Sequence, residues 1–292
     1  MSGEGTRGAR TGTGDARVDA LARLVAVIDR LRDPEGGCPW DLEQTVESIA
    51  PSAVEEAHEL VEAIEQGDEA GAVEEAGDVL LVVTLLARIA EQAGRFDLAR
   101  AAGAASDKLV RRHPHVFGDV SVHDAPHAIA NWERIKAGER AAERADASAL
   151  AGVPVALPAL QRADRLGAKA IAAGFRWTDA RGALAKLTEE VGELREAAEA
   201  AWAQSGGVAG EDADEARRAR LESELGDVLL AGALFGRYVG VDPERALRGA
   251  VRRFEARFRH MESELAGDLR DAPLPQLLEA WQRAKMATAD ER

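Results

Sequence analysis

The feature that most constrains this chain is a pattern of acidic residues that occurs twice in the same order. The pentad EEAHE precedes EEAGDVLL in the first half, and the pentad EEVGE precedes ESELGDVLL in the second. A tryptophan stands before each pentad, and a Trp-x-x-x-Lys segment follows each acid-x-x-Asp step. So many shared landmarks in one order indicate a duplicated unit.

The periodicity of the sequence predicts an all-α fold. Aromatic residues make up 4 % of the chain, and runs of alternating apolar and polar residues are lacking, so helical spacing dominates. We expect helices over about 18–32, 52–66, 69–93, 98–112 and 126–137 in the first copy. The corresponding helices of the second copy should cover about 157–173, 181–204, 213–239, 243–265 and 273–287.

These helices divide the chain into four parts. Residues 1–17 are expected to form a disordered tail, and residues 18–137 the first repeat. Residues 138–156 mix charge, Ala and Gly without a sustained apolar stripe, which is typical of a linker. The second repeat should then cover residues 157–292.

Composition excludes several classes of function. With 52 acidic and 37 basic residues, the formal net charge is −15, which argues against general binding of nucleic acids or anionic membranes. The single cysteine, Cys38, cannot form an intrachain disulfide, and no apolar stretch approaches the roughly 20 residues that span a bilayer. We therefore expect a cytoplasmic protein that makes no membrane contact.

Both acid pairs continue an apolar helix stripe. From Glu224, steps of three and four residues lead through Asp227 to Ala231, Leu234 and Tyr238. The same steps from Glu75 lead through Asp78 to Val82, Leu85 and Ile89. Acids placed this way would converge when the helices pack, and their repulsion would rival the stability of a typical domain.

Such a cluster has to be neutralised, and hard divalent cations with oxygen ligands suit it best. Proton uptake is an alternative, and exposed acids on Glu-rich helices are the ordinary case for any single residue. A di-iron bundle would need a Glu-x-x-His step from each of two helices. Glu55 and His58 provide one such step, but Gly192 replaces the histidine in the second copy.

At this point the sequence resembles the MazG-type nucleoside triphosphate pyrophosphohydrolases. The resemblance rests on GCPWDLEQT, the two acid pentads, EAGD and ELGD, SDKLVRRHPHVFGD, GFRW and the two Trp-x-x-x-Lys ends. It implies an all-α fold, with hydrolysis of nucleoside triphosphates between the α and β phosphates to a monophosphate and pyrophosphate. It also implies Mg²⁺ as cofactor, with Mn²⁺ as a possible substitute, and homodimers that complete the helical bundle. A role in clearing noncanonical or surplus nucleotides would follow.

The resemblance also implies roles for individual residues. The metal ligands would be Glu190, Glu193, Glu224 and Asp227, with Glu56, Glu59, Glu75 and Asp78 as the first-copy set. The substrate-binding residues would be Arg220, Arg253, Arg257, Trp281 and Lys285, with Lys108, Arg112, Trp132 and Lys136 in the first copy. Related sequences often carry lysine where this chain has Arg220 and Arg253, a change that keeps charge but alters geometry.

The residues themselves fit this chemistry. Phosphoryl chemistry depends on charge neutralisation and positioning, and a bound metal can lower the pKa of a water molecule. Glu189 or Glu190 could accept the proton of that water. Arg253 and Arg257 share one helix face, which suits contact with successive phosphates, although cations lying over a bundle would look the same.

Three questions stay open on the sequence alone. The substrate range could be broad, or it could be narrow, as for dUTP or a damaged nucleotide. The protein could also be a non-catalytic helical scaffold or nucleotide sensor whose acids hold a structural ion. If it is an enzyme, the second copy is favoured as the active one because more arginines surround its acids.

Overall fold

Helices form all the regular secondary structure of the described residues, which are 14–142, 148–205, 215–265 and 269–288 in this computed structural model. The first half contains α1 (Ala16–Leu31), α2 (Pro39–Glu43), α3 (Val46–Ile49), α4 (Ser52–Gln66), α5 (Glu69–Gln92), α6 (Leu98–Arg112), α7 (Pro114–Phe117) and α8 (Ala125–Ala142). The second half contains α9 (Ala159–Ala172), α10 (Ala180–Ser205), α11 (Glu215–Tyr238), α12 (Pro243–Leu265), a 3₁₀ turn (Leu269–Asp271) and α13 (Leu274–Ala287). The all-α prediction is confirmed, and the long helices begin and end close to the expected residues.

The chain folds as two compact units that divide near Glu139. This point falls inside the segment 138–156 that the sequence predicts as a linker. Helix α8 continues to Ala142, past the expected end at residue 137, and residues 143–147 lie outside the described part. Helix α1 begins at Ala16, within the expected tail, and residues 1–13 of that tail also lie outside the described part.

The longer α8 is explained by an ion pair near its end. Arg111 Nε and Arg112 Nη2 each donate to Glu139, at 2.6 Å. Hydrogen bonds from Arg112 and then Arg111 lower the pKa of Glu139 to about 2. A single glycine inside a helix costs only about 1 kcal/mol relative to alanine. Gly138 therefore does not end the helix, because the hydrogen bonds from Arg111 and Arg112 fix Glu139 in the next position.

One helical hairpin in each unit carries the acidic residues. In the first unit α4 packs along α5, and in the second unit α10 packs along α11. The turn between α4 and α5 is short because Gly67 adopts a φ of +72° as it ends α4, a conformation that favours glycine. Asp68 then starts α5 by accepting a hydrogen bond from the Gly71 amide at 3.0 Å.

The apolar end of α5 anchors this hairpin. Val82, Leu85 and Ile89 pack with Ile28 of α1 and Ile49 of α3, and each of the five is at most 5 % exposed. The first three are the apolar residues of the predicted stripe. In the second unit the corresponding Ala231 is buried, and Leu234 and Tyr238 are half-buried.

The two units also repeat an ion pair between neighbouring helices. Arg88 of α5 lies 2.9 Å from Asp29 of α1, and Arg237 of α11 lies 3.0 Å from Asp164 of α9. Both arginines follow the acid-x-x-Asp step at the same spacing. This shared contact supports the duplication inferred from the sequence.

Among the described residues, no helix combines the length and the apolar character needed to cross a bilayer.

The core position of Leu85 predicts a large loss of stability on truncation. Leu85→Ala should lower the free energy of unfolding by about 2–5 kcal/mol, because it removes buried methyl groups and leaves a cavity. Leu109→Ala is the matched control, since Leu109 is 47 % exposed on α6, and it should stay within about 0.5 kcal/mol of the parent. Urea unfolding followed by circular dichroism measures both, and equal effects of the two variants would contradict this packing.

Candidate metal and substrate site

Each hairpin brings three glutamates together. In the first unit, one carboxylate oxygen from each of Glu56, Glu59 and Glu75 lies within 4.8 Å of the other two. In the second unit, Glu190, Glu193 and Glu224 form the same arrangement. In each unit, two of the glutamates come from the first helix of the hairpin (α4 or α10) and the third from the second helix (α5 or α11). Antiparallel packing of the two helices therefore builds both clusters.

The glutamates are partly withdrawn from water. Glu190 is buried, Glu56, Glu75 and Glu224 are half-buried, and Glu59 and Glu193 are exposed. Burial, followed by the charges of neighbouring carboxylates, raises the pKa values of Glu56 and Glu75. Burial and then the charges of Glu190 and Glu224 likewise raise the pKa of Glu193. The clusters therefore carry the charge repulsion that the sequence predicts.

The fourth predicted ligand of each cluster lies outside the 4.8 Å group. Asp78 is half-buried, and its charge contributes to the raised pKa values of Glu56 and Glu75. Asp227 is exposed. The structure thus brings together three of the four predicted acids in each copy and leaves the aspartate outside each group.

Lys186 is part of the second cluster, and the sequence analysis did not single it out. Its Nζ lies 2.7 Å from Glu189 and 2.7 Å from Glu190, and these two glutamates raise the pKa of the lysine. The only sequence signal is its spacing, three and four residues ahead of two acids on one helix. Arg220, a predicted substrate ligand, lies 3.8 Å from Glu224.

The other predicted second-copy residues lie on α12 and α13, which pack together. Arg253 and Lys285 are exposed. Arg257 donates from Nε to the Thr288 hydroxyl at 3.2 Å. The ring of Trp281 lies 5.4 Å from that of Phe254, so the tryptophan takes part in packing between the two helices.

Among the corresponding first-copy residues, Arg112 of α6 and Trp132 of α8 contact each other. Arg112 is paired with Glu139 and lies over the ring of Trp132 at 5.7 Å. Lys136 lies 3.5 Å from Glu133, and Lys108 is exposed. His113 is the residue at which α6 ends. Its ring packs edge-on against that of Trp132, with 4.9 Å between the ring centroids.

Comparison with known protein families identifies the domain that carries each glutamate cluster. The model of the MazG nucleotide pyrophosphohydrolase domain matches the chain twice, at residues 44–117 and 180–262. The chain belongs to the MazG nucleotide pyrophosphohydrolase family. Each matched range contains one complete glutamate cluster, so each unit carries a MazG domain with its acids assembled.

Individual relatives agree with this assignment. The chain is 38 % identical over 276 residues to the nucleoside triphosphate pyrophosphohydrolase of Escherichia coli K12, a match that covers 94 % of this chain and 100 % of that protein. It is 38 % identical over 265 residues to the nucleoside triphosphate pyrophosphohydrolase/pyrophosphatase MazG of Thermotoga maritima, covering 90 % of this chain and 94 % of that protein. A nucleoside triphosphate pyrophosphohydrolase of Mycolicibacterium smegmatis is 37 % identical over 159 residues, covering 54 % of this chain and 48 % of that protein.

The donors of both MazG domains fit a hard divalent cation. All three close ligands are carboxylates, and oxygen atoms are the ligands that Mg²⁺ takes in proteins. The Glu-x-x-His step occurs once, at Glu55 and His58. Among the described residues, no histidine belongs to either three-glutamate group, so the donors do not match the di-iron pattern.

The raised pKa of Glu75 predicts how the pH alters stability. Its folded pKa lies above its unfolded value, so the folded protein loses stability as the pH rises through the window above about 4.3. Without divalent cations, Glu75→Gln should raise the melting temperature at pH 7.5, and this gain should shrink at pH 4. Thermal denaturation at the two pH values measures the effect.

Glu62→Gln is the control, because Glu62 is exposed on α4 and lies outside the cluster. It should change the melting temperature little at either pH. A Glu75→Gln protein that is less stable than the parent at pH 7.5 in chelator would contradict the charge repulsion.

Proposed function

We propose that this chain hydrolyses nucleoside triphosphates between the α and β phosphates, releasing a nucleoside monophosphate and pyrophosphate, with Mg²⁺ as cofactor. The observation that carries the proposal is the meeting of three carboxylates within 4.8 Å in each MazG domain. The names of the full-length relatives from Escherichia coli and Thermotoga maritima support the same activity. Mn²⁺ is expected to substitute for Mg²⁺, because it also accepts oxygen ligands.

The net charge of −15 makes this cofactor important for substrate binding. A triphosphate approaching an acidic protein meets repulsion, and the acidic clusters would increase it. A divalent cation, when bound, neutralises part of this charge and lowers the pKa of a water molecule. Glu190, Glu193 and Glu224 would hold it in the second domain, with Asp227 at the edge, and Glu56, Glu59, Glu75 and Asp78 in the first.

The side chains of the second domain would supply the remaining steps. Glu189 is exposed beside the cluster and could accept the proton of the attacking water, while buried Glu190 keeps its place as a ligand. Arg253 and Arg257 lie on one face of α12 and would bind the phosphates, with Arg220 and Lys285 as further cations. Trp281 would lie at the edge of the substrate site.

The substrate range is proposed to be broad. A broad enzyme would clear noncanonical and surplus nucleotides, and a cytoplasmic location would suit that role. A panel of nucleoside triphosphates that includes dUTP separates this proposal from a narrow specificity, because a narrow enzyme would turn over one substrate far faster than the others.

The products and two ligand variants test the reaction. With Mg²⁺, the wild type should release monophosphate and pyrophosphate. Glu224→Gln should lower kcat/KM on the order of 100-fold or more if the second domain is active, because a ligand of the catalytic cation is lost. Glu75→Gln should have the same effect on kcat/KM if the first domain is active. Product analysis by anion-exchange chromatography gives the rate and the bond cleaved.

Glu222→Gln is the matched control, since Glu222 is exposed on the same helix as Glu224 and lies outside the cluster. It should retain nearly full activity. Release of diphosphate and orthophosphate would show cleavage of the other bond. Loss of folding in Glu224→Gln, with no turnover by the wild type, would favour the non-catalytic scaffold.

Apolar stripes on both hairpins support a homodimer. On α11, Leu225 and Leu229 lie one turn apart, and each is 50 % exposed. On α10, Leu184 and Val191 are also about half exposed and lie two turns apart. The first unit repeats the pattern at Val54 and Val61 of α4 and at Leu80 and Val83 of α5. A second copy presents the same stripes, so a symmetric dimer would cover them.

Sedimentation analysis tests this assembly. The wild type should sediment at twice the 31.1 kDa chain mass, and Leu229→Asp should weaken association at least tenfold by placing a charge on the stripe. Val155→Asp is the control, because Val155 is 81 % exposed and lies outside the hairpins, and it should leave the dimer intact. A monomeric wild type at micromolar concentration would contradict the proposal.

A further inference from the structure

The two glutamate clusters differ in their cations. In the second domain the ammonium of Lys186 contacts Glu190 at 2.7 Å, and Arg220 lies 3.8 Å from Glu224. Glu190 belongs to the cluster of close carboxylates, so the lysine contacts a carboxylate that a metal would also use. The second cluster is therefore partly neutralised by the chain itself.

The described residues place no such cation at the first cluster. The residue three and four places ahead of Glu55 and Glu56 is Ser52, where the second copy has Lys186. Within the described part of the chain, no ion pair reaches Glu56, Glu59 or Glu75. The charges that act on Glu56 and Glu75 all come from other carboxylates. Among the described residues, no cation therefore offsets the charge of this cluster.

A fixed positive charge changes how a cluster binds a cation. Lys186 attracts the Glu190 carboxylate that a metal would also use, and its charge repels a divalent ion at close range. A metal entering the second cluster alone must displace the ammonium from Glu190 or bind beside it. A metal entering the first cluster meets neither obstacle, so the same three-glutamate arrangement should bind it more tightly there.

The lysine also fixes the side chains of the second cluster. Glu190 is 7 % exposed, and a buried carboxylate without a partner is costly. Its contact with Lys186, together with that of Glu189, fixes the pentad side chains on one side of the cluster before any ligand arrives. A triphosphate would change the balance, because its negative charge attracts both the ammonium and a divalent cation.

We propose that Lys186 is a positioning residue that holds Glu190 in place and makes the second MazG domain take up its divalent cation together with an anionic triphosphate, whereas the first domain binds the cation alone. The triphosphate part of this inference rests on the proposed function. The difference in cation affinity rests on the geometry of the two clusters.

Mn²⁺ binding tests the difference directly, with the free ion measured by electron paramagnetic resonance. Without nucleotide, the wild type should show a tight class of sites and a class at least about tenfold weaker. Glu75→Gln should abolish the tight class, and Glu224→Gln the weak one. Adding a nucleoside triphosphate analogue with an α,β-imido bridge should tighten the weak class.

Lys186→Met should tighten the weak class about tenfold without nucleotide and leave the tight class unchanged. Lys186→Arg should keep the weak class weak, since it retains the charge. The reciprocal change Ser52→Lys should weaken the tight class. Arg195→Met is the matched control, because Arg195 is exposed and pairs with Glu199 on the same helix, and it should alter neither class.

An unchanged Mn²⁺ affinity in both Lys186→Met and Ser52→Lys would overturn the inference, as would equal affinities of the two domains in the wild type. Neither result depends on turnover. Absence of nucleotide hydrolysis combined with the expected Mn²⁺ affinities would instead overturn the proposed function and leave the role of Lys186 in cation binding intact.

Discussion

Repulsion between carboxylates is the constraint around which both units are built. Two pentad glutamates on one helix meet a third from its partner helix. Burial, followed by the charges of the neighbouring carboxylates, raises the pKa values of Glu56, Glu75 and Glu193. The apolar ends of the same helices hold the acids together against this repulsion. The fold thus uses part of its packing energy to keep three carboxylates close together, an arrangement that a chain selected for stability alone would not retain.

Much of this arrangement follows from the sequence. The helical period and caps such as Gly67 and Asp68 fix the hairpin, and the acid steps continue the stripe that ends at Leu85 and Ile89. Local rules suffice here because propensity, capping and hydrophobic spacing all favour one structure. The matched family domains at residues 44–117 and 180–262 confirm the duplication.

Other features depend on contacts that the sequence does not reveal. Lys186 was missed because lysines spaced three and four residues from glutamates are common on exposed helices, and burial of Glu190 becomes visible only after packing. The ion pair of Arg112 with Glu139 joins residues on separate helices, and it extends α8 beyond its expected end. Asp227 follows the buried stripe in the sequence but is exposed and lies outside the group of three close carboxylates.

We propose that each glutamate cluster holds a divalent cation. The most direct measurement is anomalous diffraction from crystals grown with Mn²⁺ and an α,β-imido nucleoside triphosphate. The account predicts manganese peaks between Glu190, Glu193 and Glu224, and between Glu56, Glu59 and Glu75. Occupied nucleotide without manganese at these carboxylates, or manganese bound elsewhere, would contradict it.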